Sequence, residues 1–270
     1  MTVITISRGS ASGGMELARR LAERLGYEIV SREDIVHEAA RFGVSEARLR
    51  EAILKPLGFW DRFKRERTRY ITFIQAALRE HASKDDLVYH GNAGHLLLRG
   101  VSHVLRIRLI APAAYRIRQL KEREGMTEEE AARHIERVDR QRRDWTHFLY
   151  GIDPLDPALY DLTLNLEHMD MDSAVELAAA AAGRPEFQAT EESRRQMADL
   201  VLAGRVQAAL AADERTAGVE VKVRAEGGVV HLKGRVYPAA LVSTVVETAA
   251  RVEGVRGVNR QDLDSPDVLV

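Results

Sequence analysis

A glycine-rich stretch near the N-terminus, ISRGSASGGMELA at residues 6–18, has the residue types and spacing of a phosphate-binding loop. Glycine permits the unusual backbone dihedrals that let several N–H groups converge on an anion, and the N-terminus of a following helix adds a favourable dipole. We therefore predict that the phosphates of a nucleotide bind to Gly9, Ser10, Ser12, Gly13 and Gly14.

This loop departs from the strict pattern G-x-x-x-x-G-K-[S/T], which needs a lysine for the β- and γ-phosphates and a hydroxyl for magnesium. Counted from Gly9, Met15 and Glu16 occupy those two positions, and counted from one residue earlier, Gly14 and Met15 do. Arg8 is the nearest cation that could replace the lysine, because a guanidinium pairs with phosphate oxygens and keeps its proton. Ser10 or Ser12 could supply the hydroxyl. The alternative that the stretch is only a turn between a strand and a helix stays open.

A second group of chemically capable residues crowds one predicted helix farther along the chain: Arg137, Arg140, Arg142, Arg143 and Asp144. Residues three or four positions apart lie on the same face of a helix, so Arg140 neighbours both Arg137 and Asp144. Phosphoryl transfer depends mainly on positioning and on neutralising charge on the transferred group, and arginines supply that positive charge. A solvated helix with local ion pairs is the alternative interpretation.

Other kinds of site have weaker support. His90 and His95 have a separation that is not a recognisable metal-ligand spacing, so we expect no metal site built from side chains. The basic segment at residues 62–70 is interpreted as a solvated helix face, with contact to an anionic partner or a second copy as the alternative. The 40 basic and 41 acidic residues nearly balance, so we expect no nucleic-acid partner. The absence of cysteine excludes disulfides, thiolate metal sites and cysteine nucleophiles.

Alternating strands and helices must position these residues. Short apolar runs predict strands at residues 3–7, 87–90, 104–111 and 162–166. Amphipathic helical stretches separate the strands, and a last helix is predicted at 172–183. This order predicts an α/β fold in which helices cover both faces of a parallel sheet.

The length and a change in composition predict two domains. At 270 residues the chain exceeds the usual size of one domain, and a polar, proline-containing stretch lies about two thirds of the way along it. We predict a first domain at residues 1–185, a linker at 186–196 and a second domain at 197–270. The second domain is predicted to be a small α+β unit of αββαβ order, with a hairpin turn at residues 226–228. Without a signal-like leader or a membrane-length apolar run, the chain is expected to be cytoplasmic.

Two long segments together carry a resemblance to a known family. ITISRGSASGGMELARRLAERLGYEIVSRE and LIAPAAYRIRQLKEREGMTEEEAARHIERVDRQRRDWTHFLYGIDPLDPALYDLTLN resemble the cytidylate kinase-like family, a branch of the P-loop nucleoside monophosphate kinases. The resemblance covers about the first 180 residues. It implies a five-stranded parallel sheet with a mobile lid, and transfer of a phosphoryl group from ATP, with Mg²⁺, to a nucleoside monophosphate such as CMP or dCMP. The branch itself tends to lack the loop lysine.

The resemblance also implies roles for individual residues. The implied catalytic residues are Arg8, Asp139, Arg140 and Arg142. The lid would contribute Arg137, Arg143 and Asp144, and the acceptor nucleotide would face Arg32 and Asn92. Asn92 stands where the family usually has an arginine, and Ser31 stands where it usually has an acidic residue. These departures motivate a second hypothesis, a degenerate kinase fold that binds nucleotide as a sensor or regulatory protein.

The second domain resembles a BON domain through VEVKVRAEGGVVHLKGRV and AARVEGVRGVNRQDL. Such modules are implied to bind lipid surfaces, small ligands or proteins. The chain is therefore expected to be a nucleotide kinase with an attached binding module, or a sensor that signals through that module. A homo-oligomer stays open.

Overall fold

The computed structural model describes residues 1–54, 64–91 and 93–264. These residues form two compact units. The first unit comprises Met1–Arg32 and Lys84–Thr190, and the second comprises the described residues of Glu33–Ser83 and Glu191–Val270.

The helices and strands alternate through most of the first unit. The α-helices in chain order are α1 Gly14–Leu25, α2 Arg32–Ala39, α3 Glu46–Leu54, α4 Lys64–Ala82, α5 Gly94–Leu97, α6 Ala113–Glu124, α7 Glu128–Tyr150, α8 Met171–Ala182, α9 Glu191–Ala212 and α10 Leu241–Ala250. The strands are β1 Val3–Arg8, β2 Glu28–Ser31, β3 Leu87–His90, β4 Val104–Ile110, β5 Leu162–Asn165, β6 Val221–Glu226, β7 Val229–Arg235 and β8 Gly257–Asp264.

The first unit is built on a five-stranded sheet in the order β2-β3-β1-β4-β5, and the pairs are parallel. Its central strands are mostly apolar and mostly buried, as Ile4 and Leu105 illustrate. Helix α1 places Leu17 and Leu21 against this core, and α8 adds alanines. The predicted parallel α/β sheet is confirmed.

Strand β2 is the one strand of this sheet that the apolar pattern did not predict. It has four residues, and of these only Val30 is buried, because the strand lies at the edge of the sheet. A short, half-exposed edge strand leaves too little alternation to detect. The four predicted strands of the first unit are confirmed to within one residue at each end.

The second unit contains a three-stranded sheet in the order β6-β7-β8, with an antiparallel hairpin followed by a parallel pair. Gly227 and Gly228 form the predicted hairpin turn, and both have positive φ. Helices α9 and α10 pack against the sheet to form its core. The small α+β domain is therefore confirmed, but α9 begins at Glu191, so the second half of the predicted linker is helical. The buried Ser193 and Met197 explain the extra turns.

Helices α4 and α9 pack along one another within the second unit. Glu80 of α4 binds both Arg41 and Arg205, the latter at 3.0 Å from Nε to Oε1. The helices approach closely at Gly204, where a Cβ atom would lie 3.1 Å from Cδ of Arg79. Residues Glu33–Ser83 therefore share a compact unit with the C-terminal sheet, although the sequence groups them with the first domain.

The basic segment at residues 62–70 is not solvated throughout. Arg67, in the basic segment interpreted as solvated, is only 2 % exposed and donates from Nε to the carbonyl of Ala52 at 2.9 Å, so that interpretation is wrong for Arg67. Residues 62 and 63 of this segment lie outside the described residues.

Across the described chain, no group of three acidic or histidine side chains could hold a metal ion. None of the helices that the structure describes combines the length and apolar composition needed to cross a bilayer.

Candidate phosphate-binding site

The glycine-rich loop joins β1 to the N-terminus of α1, as the sequence predicts. Gly13 precedes the helix with φ at 86°, a left-handed conformation that favours glycine. A Cβ atom there would also lie 2.8 Å from Cε of Met171. The Ser12 hydroxyl donates to the carbonyl of Gly9 at 3.0 Å and closes the loop on itself. The loop thus leads into the positive end of the α1 dipole, where anions are stabilised.

Asp139 of α7 and Arg116 of α6 hold this loop from two sides. The Ser10 amide donates to Oδ1 of Asp139 at 2.8 Å, and Nε of Arg116 donates to the Ser10 carbonyl at 2.7 Å. Arg116 also pairs with the Asp139 carboxylate. Its guanidinium lies so close to Gly9 that a Cβ atom at that position would be 3.0 Å from Nη2. A loop amide therefore binds an anionic group in this structure, and that group is a side chain of the protein.

The loop forms one wall of a cleft of about 200 Å³ at the carboxyl edge of the parallel sheet, the edge at which open α/β sheets bind ligands. Residues from β1, β4, α6 and α7 and from the segments after β3 and α7 line it: Ser7, Arg8, Gly9, Ser12, Ala93, His95, Arg108, Ile110, Ala111, Arg116, Asp139, Arg142, Arg143, Thr146, Pro154 and Leu155. Five of these residues are arginines and one is acidic. The cleft therefore carries an excess of positive charge that suits a polyanion.

Arg142 is the cation most affected by this crowding. Burial lowers its pKa to about 10, and the nearby charges of Arg8, Arg32 and Arg116 act in the same direction, while Asp139 opposes them. The group is still protonated at neutral pH, because about 10 lies well above 7. Its Nη1 donates to the carbonyl of Arg8 at 3.4 Å, which ties α7 to the end of β1. A bound anion would relieve the repulsion among these guanidinium groups.

His95 lines the cleft, and its ring contacts Tyr160 beneath it. The two rings lie 4.7 Å apart, centroid to centroid, and the Tyr160 hydroxyl donates to the Pro154 carbonyl at 2.8 Å. Burial lowers the pKa of His95 to about 4, with smaller contributions from Arg106 and Arg108. His95 is therefore an uncharged imidazole at neutral pH.

Most of the residues that the sequence predicted for phosphate binding and catalysis come together. Arg8, Gly9, Ser12, Asp139, Arg142 and Arg143 line the cleft. Ser10, Gly13 and Gly14 complete the loop. Arg32, the predicted acceptor-binding residue, lies close enough for its charge to lower the pKa of Arg142. Asn92, the other predicted acceptor-binding residue, lies outside the described residues.

The structure does not bring the predicted catalytic residue Arg140, or the predicted lid residues Arg137 and Asp144, to the cleft. Arg137, Arg140 and Asp144 share one face of α7, as their spacing predicts, but that face lines a separate, exposed groove. Arg140 pairs there with Glu136. Successive helical residues are about 100° apart, so the face that presents Asp139 to the loop cannot also present Arg140.

The acidic Glu16 does not line the cleft. Its carboxylate binds Arg20 and, at 3.2 Å, Arg19, and these hydrogen bonds lower its pKa. Glu16 therefore faces along the outside of α1. Arg8, the proposed substitute for the lysine, packs its aliphatic part on Gly14, where a Cβ atom would lie 2.6 Å from Cγ.

Sequence reasoning missed Arg108, Arg116 and His95. A partial signal was present, because Arg106 and Arg108 interrupt an apolar strand in the middle of a parallel sheet, where charge is unusual. Arg116 lies in the first turn of the helix that follows that strand, and His95 follows β3. All three come after or near the carboxyl ends of strands, which a parallel sheet brings to one edge.

Comparisons with known proteins agree with this architecture. The model of the cytidylate kinase-like family matches residues 3–168, and the model of the BON domain matches residues 198–263. The cytidylate kinase of Methanopyrus kandleri is 30% identical over 187 residues, which cover 66% of this chain and 92% of that protein. The cytidylate kinase of Ignicoccus hospitalis is 29% identical over 179 residues, covering 65% of this chain and 96% of that protein. A crystal structure of an uncharacterized protein from Eubacterium ventriosum shares the fold, with a TM-score of 0.54 at 19% identity over 67% of this chain and 97% of that one.

Proposed function

Because the chain belongs to the cytidylate kinase-like family, we propose that it transfers the γ-phosphoryl group of ATP to a cytidine monophosphate, CMP or dCMP. The observation that supports this function most directly is the convergence of five arginines on a phosphate-binding loop. A triphosphate carries the negative charge that such a cleft lacks. Cytidine as the acceptor base follows from the names of the relatives.

The transfer itself needs little covalent chemistry from the protein. An oxygen of the acceptor phosphate bonds to the γ-phosphorus, the bond from that phosphorus to the β–γ bridging oxygen breaks, and ADP keeps the electron pair. The loop amides and Arg116 would bind the phosphates of ATP, and Arg142 would stabilise the negative charge on the transferred group. Arg8 and Arg116 together would replace the loop lysine.

The cleft residues also fit the magnesium ion that accompanies ATP. Mg²⁺ is typically bound by one or two carboxylates together with substrate phosphates, and it neutralises charge on those phosphates. Asp139 is the carboxylate that lines the cleft, and Ser12 offers a hydroxyl oxygen. These two residues would hold the ion.

Phosphoryl transfer from labelled ATP to a panel of monophosphates that includes CMP, dCMP, UMP and AMP tests the proposed function. We expect product with CMP or dCMP, and a large loss of rate in Arg8→Ala. The binding of ATP is measured in the same samples by calorimetry. No product from any acceptor, in protein that binds ATP, would contradict the kinase function.

A nucleotide sensor is the second candidate function. It is favoured by the contact of Asp139 with the Ser10 amide, which places a protein carboxylate on the loop, and by the missing lysine. A sensor would bind ATP and change conformation without forming product. The same panel therefore separates the two candidates.

For the C-terminal domain we propose binding to an anionic surface. Lys222 and Lys233 lie opposite each other on neighbouring strands, and both are exposed. Like charges in such a pair repel each other. Asp262 lies 4.0 Å from Nζ of Lys233 and offsets part of this repulsion, and an anionic partner would relieve the rest. Co-sedimentation with phosphatidylglycerol vesicles should be lost when both lysines are changed to glutamate. Failure of the unmodified chain to sediment would leave a small ligand or a protein as the partner.

A further inference from the structure

His95 occupies a particular place in the order of the sheet. Strand β3 lies between β2 and β1. The end of β2 leads into Arg32, which is implied to face the acceptor nucleotide, and the end of β1 leads into the phosphate loop. His95 follows β3 and lines the cleft. It therefore lies between the proposed acceptor side and the proposed phosphate side of the cleft.

His95 is 4 % exposed, and its ring lies against Tyr160 with an angle of 42° between the ring planes. Its Nε2 atom is buried and has no hydrogen-bond partner among the described residues. A buried polar atom without a partner destabilises the folded state, and ligand binding can remove that penalty. The ring thus belongs to a residue that lines the cleft and has one nitrogen whose hydrogen-bonding capacity no described residue uses.

The chemistry of the cleft indicates what His95 would recognise. Guanidinium groups only donate hydrogen bonds, and five of them line the cleft. The Ser12 hydroxyl donates within the loop, and the Asp139 carboxylate is already paired with Arg116. An uncharged imidazole has one nitrogen that accepts a hydrogen bond, which no arginine can do. A neutral N–H or O–H donor of the substrate therefore finds in His95 an acceptor that the arginines do not offer.

We propose that His95 is a specificity-determining residue that accepts a hydrogen bond from an uncharged donor of the acceptor nucleotide. This inference rests on the proposed function. Two donors of a cytidine monophosphate that have this chemistry are the exocyclic amino group of the base and the 2′-hydroxyl of the ribose. UMP lacks the amino group and dCMP lacks the 2′-hydroxyl, so the two analogues distinguish the sources.

The test compares the full-length chain with His95→Phe and His95→Gln. Phenylalanine keeps a ring against Tyr160 and removes both nitrogens, while glutamine restores a hydrogen-bond acceptor. His168→Phe is the matched control, because His168 is exposed and does not line the cleft. Acceptor affinity is measured by calorimetry with CMP, dCMP and UMP, and KM and kcat are measured for CMP and for ATP.

We expect His95→Phe to weaken CMP about tenfold, with the KM for ATP unchanged and partial recovery in His95→Gln. The preference for CMP over one of the two analogues should disappear in His95→Phe. Unchanged affinities and preferences in folded His95→Phe would overturn the assignment while leaving the kinase function intact. If the unmodified chain binds CMP without turnover, the kinase function fails while the calorimetry still decides the role of His95. A chain that binds no monophosphate overturns both.

Discussion

At the scale of single residues, the central feature is one carboxylate among five guanidinium groups. Asp139 binds the Ser10 amide and Arg116 together, so it occupies positions that a phosphate would use. It also holds Arg116 against the loop. Occupying the phosphate positions weakens ligand binding, whereas holding Arg116 against the loop strengthens it. A substitution can show which effect is larger.

We predict that Asp139→Asn binds ATP more tightly than the unmodified chain when Mg²⁺ is removed with EDTA, so that the proposed role of Asp139 toward the ion does not enter the comparison. Asparagine keeps a carbonyl oxygen for the Ser10 amide and removes the charge that competes with phosphate. A nearby unit charge contributes more than about 1 kcal/mol at protein surfaces, so the gain should be about tenfold. Calorimetry with ATP measures it, and Asp144→Asn on the other face of α7 is the matched control. Weaker binding by Asp139→Asn would mean that its ordering of the loop dominates.

His95 gives the folded state a dependence on pH. Its pKa is about 4 in the folded chain and about 6.5 when exposed, so the unfolded state binds the proton more readily. The stability that the folded state has with His95 uncharged is fully present above pH 6.5. The free energy of unfolding then decreases as the pH falls from 6.5 towards 4. Since one pKa unit corresponds to about 1.4 kcal/mol, the loss is roughly 3 kcal/mol at most. Urea unfolding of the unmodified chain and of His95→Phe at pH 7 and 4.5 measures it, and an equal pH dependence in both would contradict the prediction.

At the scale of elements, helix α1 has a left-handed glycine at each end, Gly13 at 86° and Gly26 at 69°. The two sites differ in their surroundings. A Cβ atom at Gly26 meets nothing within 4 Å, whereas one at Gly13 would lie 2.8 Å from Cε of Met171. A side chain at Gly13 is therefore disfavoured for two reasons, the left-handed backbone conformation and the close contact with Met171.

We predict that Gly13→Ala destabilises the chain more than Gly26→Ala. Each substitution should cost about 1 kcal/mol for the left-handed conformation, and Gly13→Ala should add a further cost for the contact with Met171. Denaturant unfolding measures the difference. ATP affinity should fall only in Gly13→Ala, because only that glycine belongs to the loop. Equal stabilities and affinities for the two variants would contradict this account.

At the scale of the whole molecule, the second unit joins two regions that are far apart in sequence. Helix α4 precedes β3, and α9 follows the kinase-like segment, yet they pack closely at Gly204. Arg79 donates to Gln207 at 3.2 Å beside that contact. Helix α9 of the C-terminal domain therefore stabilises α4 through these contacts.

We predict that Gly204→Leu lowers the free energy of unfolding by about 1–3 kcal/mol, because a larger side chain must push α4 and α9 apart. Ala198→Leu is the matched control on the same helix, since Ala198 is exposed. It should change stability by less than about 0.5 kcal/mol. Thermal unfolding followed by circular dichroism compares the two, and equal midpoints would show that the contact does not contribute.

The sequence predicted local features better than long-range contacts. The capping box of Thr127 and Glu130 and the hairpin glycines were predictable, because residues close in sequence determine them. The hydrogen bond from Arg116 to the Ser10 carbonyl of the loop was not predictable, because the two residues are 106 positions apart. The packing of α4 on α9 was not predictable for the same reason. In addition, the polar residues at the start of α9 are typical of a linker.

The separation of Arg142 and Arg140 onto two faces of α7 provides the most direct test of the central claim, phosphoryl transfer in the arginine-lined cleft. The measurement is the initial rate of CDP formation from ATP and CMP by the unmodified chain, by Arg142→Ala and by Arg140→Ala. We predict a loss of about 100-fold or more in Arg142→Ala, and a change of less than about threefold in Arg140→Ala, whose ion pair is exposed. Equal losses in both variants, or no CDP from the unmodified chain, would contradict the account.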